Sequence, residues 1–245
     1  MSLRITLVTA ARVLRQLVAD RRTLVMLVGV PSALMALLRF VYDGSPEVFD
    51  RIGLPLLGVF PFVLMFLVTS VAMLRERTSG TLERLLTTPT GKLDLLVGYG
   101  AAFAVAAAVQ AVVATAVAYL LLGLDTAGSP AVVVSIAVAN AVLGMAMGLF
   151  VSAFATSEFQ AVQFMPAFVL PQILLCGLLT PRDRMAEWLT TISEALPMTY
   201  AVDALTEVGA HAEVTDALLR DAGVVAAATV LFLVAGAATL RRRSA

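Results

Sequence analysis

Side chains that commonly perform covalent chemistry are sparse in this sequence. His211 is the one histidine and Cys176 the one cysteine. A His-pair metal centre, a multi-cysteine metal site and an internal disulfide are therefore excluded. No G-x-x-x-x-G-K-[ST] phosphate loop occurs, and the apolar stretches hold neither a histidine base nor paired carboxylates. What the spacing does offer is hydrogen bonding in apolar surroundings. Asn140, Gly144, Gly148 and Ser152 recur every four residues, so they share one helix face. Gly144 and Gly148 form a GxxxG pair, which lets helices approach closely while Asn or Ser bonds across the contact. Gln110, Gln163 and Gln172 are amides that need a partner or a wet cavity if hydrocarbon surrounds them.

Gln172 follows Pro171 and lies near Pro166, and prolines free backbone groups and kink helices. A helix of this kind either lines a route that changes shape or holds a fixed kink that improves packing. Phe60, Phe62, Phe66, Phe164 and Phe168 crowd two apolar stretches. Phe62, Phe66, Phe164 and Phe168 with Gln172 are candidates for an apolar substrate path, the alternative being phenylalanines that face lipid. Cys176 reads as an inert small apolar residue.

The elements that position these residues follow from composition. Of 245 residues, 60% are hydrophobic, and the mean hydropathy is +0.94. A soluble fold of this size cannot cover so much apolar surface. Net charge is zero, which gives no reason to invoke nucleic acid. Six apolar stretches, about 23–42, 54–74, 95–122, 132–155, 161–179 and 224–240, approach or exceed the ~20 residues needed to cross a bilayer. The second holds no charge, and Arg39, near the end of the first, can reach the headgroups. The expected fold is all-α, a polytopic membrane protein with six transmembrane helices in a single domain over 1–245. The N-terminal charged region lacks the form of a cleavable signal peptide, so the first stretch is expected to remain as a span.

Basic residues give the orientation. With the N-terminus in the cytoplasm, the inner segments hold twelve of the basic residues, from Arg4 to Arg243, and the outer ones only Arg51, Arg182, Arg184 and Arg220. Both termini are then cytoplasmic. Residues 1–22 read as an amphipathic interfacial helix, with Leu3, Leu7, Leu14 and Val18 at helical spacing and Arg4, Arg12 and Arg15 elsewhere.

Two segments lie outside the spans. The inner loop, 75–94, reads RERTSGTLERLLTTPTGKLD. Leu82, Leu85 and Leu86 fall on one side, Thr78 or Ser79 can cap the start, and Pro89 stops a helix before it. A helix of about two turns needs a surface to pack on, either its own bilayer interface or a partner protein. In the outer segment, 180–223, a helix is expected over 183–195 with Trp188 on its apolar side. Pro197 breaks it, and a second helix follows over 200–208. Trp188 and Tyr200 suit the headgroup level. The more polar 209–221 is expected to project outward, with His211 solvated.

RERTSGTLERLLTTP at 75–89 resembles the inner loop of ABC-2 type transporter permeases, nearest to the daunorubicin- and doxorubicin-resistance type of drug exporter. LPMTYAVDAL at 196–205 resembles the Leu-Pro-x-Thr-Tyr segment before the last span of the same family. The resemblance covers nearly the whole chain. It implies a coupling helix that docks on a separate ATPase subunit through Arg77, Gly80, Thr81, Leu82, Glu83, Leu85, Leu86 and Pro89. It further implies outer re-entrant helices that cap the pathway as an outer gate, with Trp188, Pro197 and Tyr200. The implied function is the permease subunit of an ABC exporter for drugs, antibiotics or lipids, in the cell membrane. ATP and Mg would be bound by the ATPase subunits and not by this chain, which is then no enzyme. Its partners would be those subunits, a second permease copy or paralogue, and membrane lipid. Polysaccharide export by the same family and a non-transporting membrane scaffold are the alternatives.

Overall fold

The computed structural model describes residues 3–80 and 92–239. Nine α-helices and no strand occur among them. They are α1 (Leu3–Ala19), α2 (Arg21–Val41), α3 (Pro46–Thr78), α4 (Lys92–Leu120), α5 (Pro130–Val151), α6 (Glu158–Leu175), α7 (Glu187–Glu194), α8 (Pro197–Ala210) and α9 (Asp216–Thr239), with a 3-10 turn at Arg182–Arg184 before α7. Thr81, Leu82, Glu83, Leu85, Leu86 and Pro89 of the expected coupling helix lie outside the described residues.

Five helices, α2, α3, α4, α5 and α9, are long and apolar enough to cross a membrane. The remaining expected span, the fifth, corresponds to α6, whose 18 residues rise about 27 Å. It stops at Leu175, four residues before the apolar stretch ends, because Gly177 turns the chain with a φ of +92°. Its Gln160, Gln163 and Gln172 also make it the least apolar of the six.

The structure is organised around α3. Its 33 residues give a rod of about 50 Å, well beyond the ~30 Å hydrocarbon core. Hydropathy marks only the stretch 54–74, whereas the helix continues outward to Pro46 and inward to Thr78. Pro46 sits in the first turn, where its missing N–H costs nothing. At the other end Ser79 N–H bonds to the Arg75 carbonyl, and Gly80 takes φ +70°, a stop that favours glycine. α3 packs against α2, α4, α5, α6 and α8. Phe49, Leu57, Phe62, Met65 and Phe66 are all buried there. α9 lies against α5 and α8, with Phe150 stacking on Phe232 at 5.8 Å. Its other faces, and most of α2, are exposed apolar surface, as expected of helices that meet lipid.

α1 has two working faces. Thr6, Thr9, Ala10 and Val13 are buried, whereas Leu3, Leu7 and Val18 are exposed. The protein-facing side approaches α4 so closely that a side chain on Gly98 would meet Thr9 and the Thr6 carbonyl. Asp20 separates α1 from α2 and caps the latter, accepting from the Thr23 N–H at 3.2 Å and its hydroxyl at 2.6 Å.

The outer segment departs from the sequence expectation in three places. Met185 is extended, so the anticipated helix over 183–195 divides into the turn and α7. Leu196 is extended ahead of Pro197, which opens α8 three residues before the expected start. Proline ends one helix here and begins the next. Only 211–215 of the polar stretch 209–221 lies between helices. Gly209 and Ala210 end α8, and 216–221 start α9, with Leu218 and Asp221 buried.

Candidate functional site

Two arrangements meet on α3. Along its middle, α5 lies backbone to backbone. An added Cβ at Gly144 would run into the Phe62 carbonyl, and one at Gly148 into Thr69 Oγ1 and the Phe66 carbonyl. Polar groups bond across this seam. Asn140 Nδ2 donates to the Gly58 carbonyl at 3.0 Å. The Thr69 hydroxyl lies 2.6 Å from the Met65 carbonyl and 3.2 Å from that of Met145. Ser152 Oγ turns back to Leu149 O at 2.6 Å. Asn140, Gly144 and Gly148 therefore line one side of α5, against α3, whereas Ser152, buried just past the end of α5, bonds back to its own helix.

At the C-terminal end of α3, just before the loop 81–91, the contacts are ionic. Arg12 of α1 donates from one guanidinium nitrogen to Glu76 Oε1 at 3.4 Å and from the other to the Tyr99 hydroxyl of α4. Its guanidinium carbon lies 5.5 Å from the Tyr99 ring centre. One residue earlier, Arg75 holds Glu158 of α6 at 2.7 and 2.9 Å. The bidentate match of guanidinium and carboxylate gives direction to this pair. The Arg75 hydrogen bond holds the Glu158 carboxyl below its ordinary range. Three helices, α1, α4 and α6, are thus fastened to the last two turns of α3. Arg77, also predicted for the partner interface, is in the final turn, and Gly80 closes the helix.

The expected substrate-path residues gather around one apolar cluster, against which Phe164 packs. Phe62 and Phe66 are fully buried in the cluster with Leu143, Met147 and Met198. Phe164 and Phe168 meet edge to face at 6.1 Å, and Phe168 is 41% exposed. Gln172 is buried and fully engaged. Its Nε2 donates to the Phe168 carbonyl at 3.1 Å and lies 3.7 Å from Met147 Sδ. Its Oε1 accepts the Met198 N–H at 3.3 Å, satisfying one of the N–H groups that the start of α8 leaves open. Gln163 is exposed. Gln110 is wholly buried, and neither its amide nitrogen nor its oxygen has a partner among the described residues.

At the outer end, Trp188 is 65% exposed, Pro197 opens α8, and the Tyr200 hydroxyl donates to the Glu194 carbonyl at 2.7 Å. Arg182 pairs with Asp203 of α8. Burial pushes the Asp203 carboxyl above its ordinary value despite that neighbour. An outer cavity of about 670 Å³ lies beside the pair, with Arg51, Cys176, Arg184 and Thr206 among its walls. No group of three or more His, Cys, Asp or Glu side chains among the described residues is placed to hold a metal ion.

Sequence reasoning reached the α5 face, because its signal is periodic. It missed Arg12, Glu76, Tyr99, Arg75 and Glu158 as one assembly. The available signal was Glu76, an acid at the end of a charge-free stretch and amid arginines.

The profile of the ABC-2 type transporter family matches residues 5–208. The chain belongs to the ABC-2 type transporter family. It is a multi-pass membrane protein. It is 26% identical over 148 residues to the Probable multidrug ABC transporter permease YbhR of Escherichia coli, covering 60% of this chain and 40% of that protein. To the Linearmycin resistance permease protein LnrN of Bacillus subtilis it is 28% identical over 182 residues, 74% of this chain and 47% of the relative. To YbhS of E. coli, named in the same way as YbhR, it is 27% identical over 176 residues, 71% and 45%. The chain spans less than half the length of each of these relatives. The ionic contacts at this end of α3 are made by Arg75 and Glu76, the first two residues of the motif that carries the family resemblance.

Proposed function

We propose that this ABC-2 chain is the membrane-spanning permease subunit of an ATP-driven exporter, moving apolar or amphipathic molecules such as drugs, antibiotics or lipids. It would work with separate ATPase subunits that bind ATP and Mg, and with a second permease copy or paralogue. Six spans, with α6 as the fifth, would put both termini on one side of the membrane, and the distribution of basic residues favours the cytoplasmic side. The observation that carries the reading is the clamping of the inner end of α3 to α1, α4 and α6, immediately before the loop 81–91. Force applied to that loop enters α3 at a point where three other helices must respond. Nucleotide can drive such a response only by binding one arrangement better than another. The likeness to permeases named for multidrug and linearmycin resistance supports amphipathic cargo.

The test is reconstitution with a candidate ABC ATPase subunit. Vesicles holding both should accumulate an amphipathic dye on adding ATP. Glu83→Arg should abolish dye movement while the permease remains folded and in the membrane. Unaltered transport and cargo-stimulated hydrolysis in that variant would remove the docking role of the loop.

A further inference from the structure

A cleft of about 700 Å³ opens among α1, α2, α3 and α4 at their inner ends. That volume falls in the range of about 300–1,000 Å³ typical of small-molecule sites. Its walls change character along their length. Leu64, Leu67, Val68, Met26, Leu27 and Phe103 line the deep part, whereas Gln16, Asp20, Thr23, Arg75, Glu76 and Ser79 surround the inner end. From Leu64 to Arg75 is about 16 Å along a helix, close to one leaflet of a ~30 Å hydrocarbon core. Met26 is 58% exposed and carries the apolar wall out to the lipid-facing surface.

The polar end is biased toward a positive guest. Of the charged side chains lining the cleft, Asp20 and Glu76 are acidic and only Arg75 is basic. Arg75 is already held in two contacts by Glu158. Arg21 and Arg22 follow Asp20 in sequence but do not line the cleft. Glu76 gives one oxygen to Arg12. Its Oε2 is buried, with no hydrogen-bond partner among the described residues. A buried carboxylate oxygen without a donor is costly to leave unmet.

We propose that this cleft binds an amphipathic cation from the inner leaflet, with an alkyl or aryl body between α2 and α3 and a protonated amine at Glu76. As an entry point for cargo the site rests on the exporter reading. As a binding site it does not, since its test needs neither ATP nor a partner subunit.

The test uses the whole chain in phosphatidylcholine nanodiscs. Ala72→Cys, one turn from Glu76 on the same face of α3, is made in a Cys176→Ala background, and the rate of maleimide labelling is followed. Dodecylamine should slow labelling saturably, and dodecanoate should not. Glu76→Gln should raise the dodecylamine concentration needed by about tenfold, the scale of a charge-assisted hydrogen bond. Leu64→Trp, which fills the apolar end and leaves Glu76 in place, should also weaken protection, and it decides the matter if Glu76→Gln does not fold. A cysteine at Leu231, on the lipid face of α9, serves as the comparison. The proposal is overturned by absent protection, by equal protection from dodecanoate, by equal protection at position 231, or by protection that appears with phosphatidylglycerol alone. Failure of dye export with intact dodecylamine protection would count against the exporter reading and leave this site standing.

Discussion

Along the middle of α3, contact with α5 is made at the distance of backbone atoms, through Gly144 and Gly148. At the inner end of the same helix, contact is made by long side chains, Arg12 with Glu76 and Arg75 with Glu158. The first surface has one way to fit, because a shift along the helix drives backbone into backbone. In the second, the Arg75–Glu158 pair can break and re-form, because it is more than half exposed and water can replace each partner. A helix built this way stays locked to its neighbour through the hydrocarbon while its inner end remains adjustable.

The largest effect is expected from forcing the seam. Gly148→Leu should destabilise the folded chain by about 3 kcal/mol, at the upper end of overpacking costs, read as a lowered midpoint of thermal unfolding in detergent. A midpoint close to that of the unaltered chain would show that α3 and α5 can separate without loss. At the inner end, Arg12→Ala should cost about 1–2 kcal/mol by leaving the Glu76 carboxylate without its cation. It should also raise hydrogen exchange in α1 while α5 stays protected. Loss of protection in both helices would mean that the two regions are not separable. The smallest effect concerns Glu158. Its pKa is lowered by Arg75, so its contribution is complete above the ordinary carboxylate value and is lost as pH falls through the folded-state value. Glu158→Gln should therefore lower the plateau near neutrality slightly and flatten the acid limb by the same small amount, read as the unfolding midpoint against pH, because the pair is more than half exposed and weak.

The unequal legibility of these regions has a physical origin. The apolar stretches and the spacing-four face of α5 are local patterns, and a sequence displays them directly. Hydropathy does not distinguish a phenylalanine against lipid from one against protein. The burial of Phe62 and Phe66, as against exposed Phe159 and half-exposed Phe168, became visible only with α3 at the centre. The Arg12–Glu76–Tyr99 contact joins residues separated by 64 and 87 positions, for which no period exists. Pro197 was readable as a breaker. That it also starts α8 depended on the chain having somewhere to continue, namely the pocket where Gln172 receives the Met198 N–H.

The short crossing between α4 and α5 deserves a mechanical reading. Ala127 and Gly128 donate their backbone N–H groups to the carbonyls of Gly209 and Val208 at 3.2 and 2.9 Å. A side chain on Gly128 would collide with the Val208 and His211 carbonyls. This stitch ties the far end of α8 to the tops of two transmembrane rods. α8 cannot hinge away as a free flap, because raising it at that edge drags on α4 and α5. Its displacement thus has a tether, and the edge left free of this stitch is the opposite one, beside Arg182 and Asp203.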